Sequence, residues 1–139
     1  MPLVRIDVQQ GRRPEDLRRI ADVVQEVMLD VFAAPPRDRY QIITEHPVGH
    51  IIAEDTGLGF TRTEGVVVIQ IFQQGRSTAQ KKAAYAALAT RLSTECGVAP
   101  TDLIVSVTGN TQADWSFGLG RAQFLEGDLA VEHTTAPGS

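Results

Sequence analysis

Pro2 carries more chemistry than any other residue in this chain. A Met ahead of a small residue is normally trimmed, so the sequence predicts a chain that starts at Pro2 with a free secondary amine. Such an amine can act as a base, an acid or an imine-forming nucleophile. An α-amino group titrates at about 7.7–8.0, so modest changes in surroundings decide which form dominates at neutral pH. The plain alternative is that Pro2 only opens a strand. Arg76 is the second candidate. Its planar fork suits a small carboxylate, and each charged hydrogen bond contributes about 1.5–3 kcal/mol; otherwise it caps the turn after Gln73-Gln74-Gly75. Gln73 and Gln74 offer neutral contacts beside it. Trp115, Phe117 and Phe124 would form either an apolar wall or part of the core. His46 and His50 are four apart, but Pro47 and Gly49 break any helix that would bring them to one face, so no metal site is expected. The two Gly-Leu-Gly runs, at 57–59 and 118–120, lack the third glycine of a nucleotide loop, and no cofactor is expected.

These residues need a small scaffold. With 139 residues, 42% hydrophobic and 22% charged, the chain fits one globular domain, taken as residues 1–130 with a flexible tail over 131–139. A net charge of -4 and a pI near 5.3 argue against a nucleic-acid partner. The sequence has no secretory signal pattern, and its longest apolar run, 65–72, is too short to span a membrane as a helix. The single cysteine, Cys96, excludes an internal disulfide and suits a cytoplasmic location.

The chain reads as one unit written twice, over about 2–64 and 66–130. Shifted by 64 residues, Val8-Gln9-Gln10-Gly11-Arg12 falls on Phe72-Gln73-Gln74-Gly75-Arg76, and Pro36 and Asp38 fall on Pro100 and Asp102. Each copy predicts a strand, a glycine-containing turn, an amphipathic helix, then Pro-x-Asp leading into a second strand. The first helix opens at Pro14, carries Leu17, Ile20, Val23, Val24, Val27, Met28 and Val31 at helical spacing, and must stop before Pro35-Pro36. The second has Ser77-Thr78-Ala79-Gln80 as a capping box, a stripe of Ala84, Leu88 and Leu92, and Gly97 as its C-cap. Two βαβ units pair into an α+β fold: a four-stranded mixed sheet with two helices on one face. Strand 66–72 is apolar at nearly every position, which predicts burial of both faces. Two helices cover one face, so a second copy of the chain in a closed ring is expected on the other.

With Pro2, this duplication, Asp38-Arg39-Tyr40-Gln41, Glu54-Asp55-Thr56-Gly57-Leu58-Gly59-Phe60 and Asp114-Trp115-Ser116-Phe117-Gly118, the sequence resembles the tautomerase superfamily over about residues 2–130. Its branch resembles malonate semialdehyde decarboxylase. The resemblance implies a homotrimer with sites near the subunit boundaries, Pro2 as catalytic amine, Asp38 as its acidic partner and Arg76 as the carboxylate-binding arginine. On its own residues Asp38 is equally a turn-shaping acid, the reading taken for Asp102. Where some decarboxylases of the branch have a second arginine, this chain has Gln74, and the pattern resembles the single-arginine type with Trp115 and Phe117 near the site. The implied activity is decarboxylation of a small 3-oxo acid, malonate semialdehyde to acetaldehyde and carbon dioxide, with accompanying tautomerase activity. The alternatives are an enol-acid tautomerase, a hydratase of a short unsaturated acid, and a binding protein that keeps the fold without chemistry.

Overall fold

The computed structural model describes residues 2–129; the tail expected over 131–139 lies outside them. Chain order is β1 (Leu3–Gln9), α1 (Pro14–Val31), β2 (Tyr40–His46), β3 (Val67–Gln74), α2 (Thr78–Cys96), β4 (Leu103–Asn110) and a short α3 (Gln123–Glu126). The sheet runs β2-β1-β3-β4, with β1 parallel to β2, β3 parallel to β4, and β1 antiparallel to β3 at the centre. This is the expected mixed four-stranded sheet, with α1 and α2 packed over one face of it.

The core lies between that face and the helices. Val4, Ile6 and Val8 of β1 and Val67, Ile69 and Ile71 of β3 point into it, against Ile20, Val24, Val27 and Met28 of α1 and Ala84, Leu88 and Leu92 of α2. α2 starts and stops as its local residues dictate. Ser77 Oγ accepts from Gln80 N at 3.1 Å while Gln80 Oε1 accepts from Ser77 N at 3.0 Å, and Gly97 takes the left-handed C-cap at φ 68°. α1 stops earlier than its prolines require. Phe32 is the C-cap, Ala33 adopts φ 52°, and Ala34 N returns to Met28 O at 3.2 Å. Cys96 packs at the core margin, where burial pushes its thiol up and leaves it less reactive.

Burial of both faces of β3 is not met within the chain. Its second face carries Val68, Phe72 and Gln74, which are half-buried, and Gln70, which is exposed; across β1 and β2 that face continues as Leu3, Arg5, Asp7, Tyr40 and Ile42. His46 Nε2 lies 2.7 Å from Asp7 Oδ1 there. Among the described residues, no helix is long and apolar enough to cross a membrane.

The two copies obey the 64-residue offset only beyond their first turn. Leu3 pairs with Tyr40, whereas the residue beside Ile104, at the repeat position of Tyr40, is Val68. The central strands are therefore offset by 65, and the first copy spends its extra residue at Gln10, where an isolated bridge to Arg12 marks the kink. The match of Val8 with Phe72 is thus a coincidence of letters: Val8 faces the helices and Phe72 the opposite side.

The segment leading into β2 is tied to α1. Arg39 donates to Asp22 Oδ1 at 2.7 Å and Gln41 Oε1 at 2.9 Å, and Gln41 Nε2 donates to Ala21 O at 2.8 Å. The Arg39 hydrogen bond, helped by Arg18, holds the Asp22 carboxyl below its usual range. A depressed carboxylate contributes stability above about pH 4 and loses it as pH falls through the folded value. Asp22→Asn should therefore cost only about 0.5–1 kcal/mol at neutral pH, because the pair is one-third exposed, and less at pH 3. Urea denaturation of both proteins at the two pH values checks this.

Candidate functional site

The open face of the sheet carries a cleft of about 430 Å³ beside the start of β1. Its floor is a row of side chains crossing all four strands. Tyr40 of β2, Leu3 of β1 and Phe72 of β3 stand side by side in register, and Asn110 of β4 stands beside Gln74, two positions along from Phe72. The roof is the loop after β4, carrying Asp114, Trp115, Ser116 and Phe117. Pro2 is buried directly ahead of Leu3.

The roof is held at both edges of the sheet. Trp115 Nε1 donates to Asn110 Oδ1 at 2.9 Å on the β4 side. Its indole stacks on Phe117 at 5.3 Å and 13°, and Phe117 stacks on Tyr40 at 5.6 Å and 26° on the β2 side. Asp114 closes the start of the loop by accepting from Thr111 N at 2.8 Å and Thr111 Oγ1 at 3.0 Å. Phe124 meets Phe117 edge-on at 5.6 Å from α3 and supports the wall from outside the cleft lining, a step further back than expected. The neighbouring residue Gln123 fixes the far end, accepting from Phe117 N at 2.9 Å and donating to Gly118 O at 2.8 Å.

The expected polar residues take different positions. Arg76 lies against the C-terminal end of α1. Its Nε donates to Phe32 O at 3.0 Å, its Nη1 to Gln74 O at 3.1 Å and Gly75 O at 2.9 Å, and its guanidinium sits 5.8 Å from the Phe32 ring centroid. Those carbonyls orient the fork, and burial pulls the guanidinium below its ordinary value. Asp38 is half-buried just ahead of β2, its N donating to Pro35 O at 3.0 Å. The paired glutamines part company because strand side chains alternate. Gln73 is buried on the helix side, one register step beyond Leu3↔Phe72 and hence opposite Pro2. Gln74 shares the cleft side with Phe72 and Asn110, and its buried Oε1 has no hydrogen-bond partner among the described residues.

An acid and an arginine also meet the chain ahead of β3. Asp102, only 2% exposed, accepts from Thr63 N at 2.7 Å, and Arg12 Nη2 donates to Gly65 O at 2.8 Å. A Cβ added at Gly65 would lie 3.4 Å from Asp102 Oδ2 and 3.6 Å from Arg12 Nη2. Acid and arginine thus converge on the chain just ahead of β3. Asp38 and Arg76 are their repeat equivalents, and the corresponding space lies just ahead of Pro2.

Of the motif residues, Asp55 is a loop organiser. Its carboxylate accepts from Gly57 N at 3.0 Å and Gly59 N at 2.8 Å, which holds it below the usual range. Tyr40, Leu3, Phe72 and Asn110 were not singled out as site residues from the sequence; Tyr40 alone stood inside a motif.

A duplicated βαβ sheet with a cleft at the start of its first strand defines a tautomerase-like fold. Models of the tautomerase enzyme family match residues 38–118 and 2–61, and the chain belongs to the tautomerase superfamily. It is 51% identical over 129 residues, 93% of this chain and all of the relative, to the probable tautomerase YrdN of Bacillus subtilis (strain 168). It is 33% identical to the probable tautomerase YusQ of the same strain, over 91% of this chain and all of that one. Among solved structures, it is similar to a malonate semialdehyde decarboxylase described with decarboxylase and hydratase activities, at 41% identity and TM-score 0.88, covering 92% of this chain and 99% of that one. A malonate semialdehyde decarboxylase inhibited by 3-bromopropiolate matches at 46% identity and TM-score 0.88, covering 92% and 98%.

Proposed function

We propose that this tautomerase-superfamily enzyme decarboxylates a small 3-oxo acid, with malonate semialdehyde as substrate and Pro2, freed by removal of Met1, as the catalytic amine. The observation that supports the reading is the convergence of Asp102 and Arg12 on the chain ahead of β3, since Asp38 and Arg76 are their repeat equivalents. The likeness to two malonate semialdehyde decarboxylases supports the substrate.

In this mechanism Arg76 holds the carboxylate, and the cationic Pro2 amine polarises the aldehyde oxygen, or its neutral fraction adds to the carbonyl and expels water to form an iminium. The C–C bond to the carboxylate breaks, its electron pair enters the carbonyl or iminium system, and carbon dioxide leaves. The resulting enol or enamine takes a proton at carbon, and water releases acetaldehyde from the enamine route. Asp38 raises the amine's affinity for its proton, against the opposing pull of Arg76 and burial. The apolar floor and the Trp115–Phe117 roof favour neutral carbon dioxide over the charged carboxylate.

Proton NMR of the processed protein with malonate semialdehyde tests the reading, acetaldehyde being the expected product. Absence of acetaldehyde above the uncatalysed rate would remove it. The 51% identity to a probable tautomerase favours proton transfer between carbon and oxygen of an enol acid as the second reading, with neutral Pro2 as base.

A further inference from the structure

Gln74 sits where β3 runs past the start of β1. Leu3 stands opposite Phe72, so Pro2 falls opposite Gln73, and Gln74 lies one residue further along, on the nitrogen side of Pro2. Residues directly opposite in an antiparallel pair have Cα atoms about 4.5–5.5 Å apart, a span that a glutamine side chain covers. Alternation turns Gln73 to the helices and Gln74 to the open face, where Leu3 also lies. Gln74 Oε1 is buried and has no hydrogen-bond partner among the described residues. A buried acceptor without a donor has forfeited its hydration for nothing, and beside a reactive group it points to a donor that arrives with the chemistry.

Neighbouring donors are committed elsewhere. Arg76 Nε donates to Phe32 O and its Nη1 to Gln74 O and Gly75 O, which also fixes the main chain from which the Gln74 side chain departs. The Trp115 indole donates to Asn110, the register neighbour of Gln74 on β4. The donor that the register brings to this point is the nitrogen of Pro2 once Met1 is removed.

We propose that Gln74 Oε1 accepts one of the two N–H groups of the Pro2 ammonium, which holds the amine in its cationic form and aims the second N–H at the bound carbonyl. The inference rests on the reading of Pro2 as the free catalytic amine. Asp38 precedes β2, on one side of β1, and Gln74 ends β3 on the other, so the two hold the amine from opposite sides. The ionisable groups around the start of β1 are Asp38 ahead of β2, Tyr40 on β2, Arg76 after β3 and Asp114 on the roof loop. Gln74 differs from all of them in carrying no charge at any pH. It favours the cation by accepting a hydrogen bond, without titrating itself.

The test is an NMR titration of the chain-terminal nitrogen in processed protein made with isotope-labelled proline, comparing the wild type with Gln74→Leu and Gln74→Glu. Gln74→Leu keeps the bulk and removes the acceptor. It is expected to move the midpoint of the titration down by about one pH unit, and to move the alkaline limb of kcat/KM for malonate semialdehyde down with it. Gln74→Glu keeps an acceptor oxygen and adds charge, and is expected to move the midpoint above the wild-type value. Urea denaturation establishes that each variant is folded, and Gln74→Glu decides alone if Gln74→Leu is not. An unchanged midpoint in folded Gln74→Leu would overturn the proposal, as would a Gln74→Glu protein that titrates at or below the wild-type value. A lowered midpoint in Gln74→Leu, with no acetaldehyde formed by the wild type, would support the hydrogen bond and defeat the decarboxylase reading. A wild type that retains Met1 would overturn both.

Discussion

Pro2→Ala should reduce kcat/KM for malonate semialdehyde by about 10²–10³-fold with the fold unchanged, and Pro2→Leu should reduce it to background. Alanine, like proline, permits removal of Met1, so this variant still presents an amine at the same chain position. It loses the secondary nitrogen and the ring that fixes that nitrogen's orientation on the chain, and hence a lone pair held in one direction. Leucine is bulky enough to retain Met1, which moves the chain end outward by about 3.8 Å and fills the space ahead of residue 2. The second repeat already shows that outcome, with Thr63 and Gly65 lying where its acid and arginine converge. Both variants are compared by single-turnover kinetics after intact-mass measurement of Met1 removal. Wild-type kcat/KM in Pro2→Ala would exclude the proline ring from the chemistry. Wild-type rates in a Met1-bearing Pro2→Leu would exclude the amine altogether.

How much of this was legible depends on how local each signal is. The capping box at Ser77 and Gln80 and the glycine at Gly97 act within one turn, so α2 was readable at both ends. The end of α1 was readable only as a limit before Pro35-Pro36, because its left-handed residue is Ala33 and carries no glycine signature. The four-stranded mixed sheet with two helices on one face followed from duplication and the handedness of βαβ units; its strand order was not read from the sequence. The one-residue slip between the copies did not follow, because Gln9-Gln10-Gly11-Arg12 and Gln73-Gln74-Gly75-Arg76 match letter for letter while their strands present opposite faces. Strand alternation separates the roles of Gln73 and Gln74, which sequence alone treats as equivalent. Trp115 and Phe117 were recognisable as wall candidates from type and motif. Their fixing by Asn110 and Tyr40 was not, since it arises only when the loop after β4 folds back across four strands.

Arg76 separates the two readings of the chemistry. A carboxylate that leaves as carbon dioxide loses its charge on the way to the transition state, so an arginine gripping it stabilises the ground state at least as much as the transition state. Under decarboxylation, Arg76→Ala should raise KM by about 10²-fold and lower kcat by no more than about tenfold. Under enol-acid tautomerisation the carboxylate keeps its charge throughout, and negative charge developing on the adjacent carbon or oxygen adds to it. The same substitution should then lower kcat by about 10²-fold as well. Stability complicates Arg76→Ala, because the side chain also satisfies Phe32 O, Gln74 O and Gly75 O. Leaving partly buried carbonyls without a donor costs about 1–3 kcal/mol each if water does not replace it. Arg76→Lys keeps a cation near the C-terminal end of α1 and loses only the fork, so it should be the more stable variant and still show the KM defect. Steady-state kinetics of both variants on malonate semialdehyde and on an enol acid, beside their urea denaturation midpoints, check this. Unchanged KM in a folded Arg76→Lys and Arg76→Ala pair would remove Arg76 from carboxylate binding and leave it as the residue that ties the β3–α2 turn to α1.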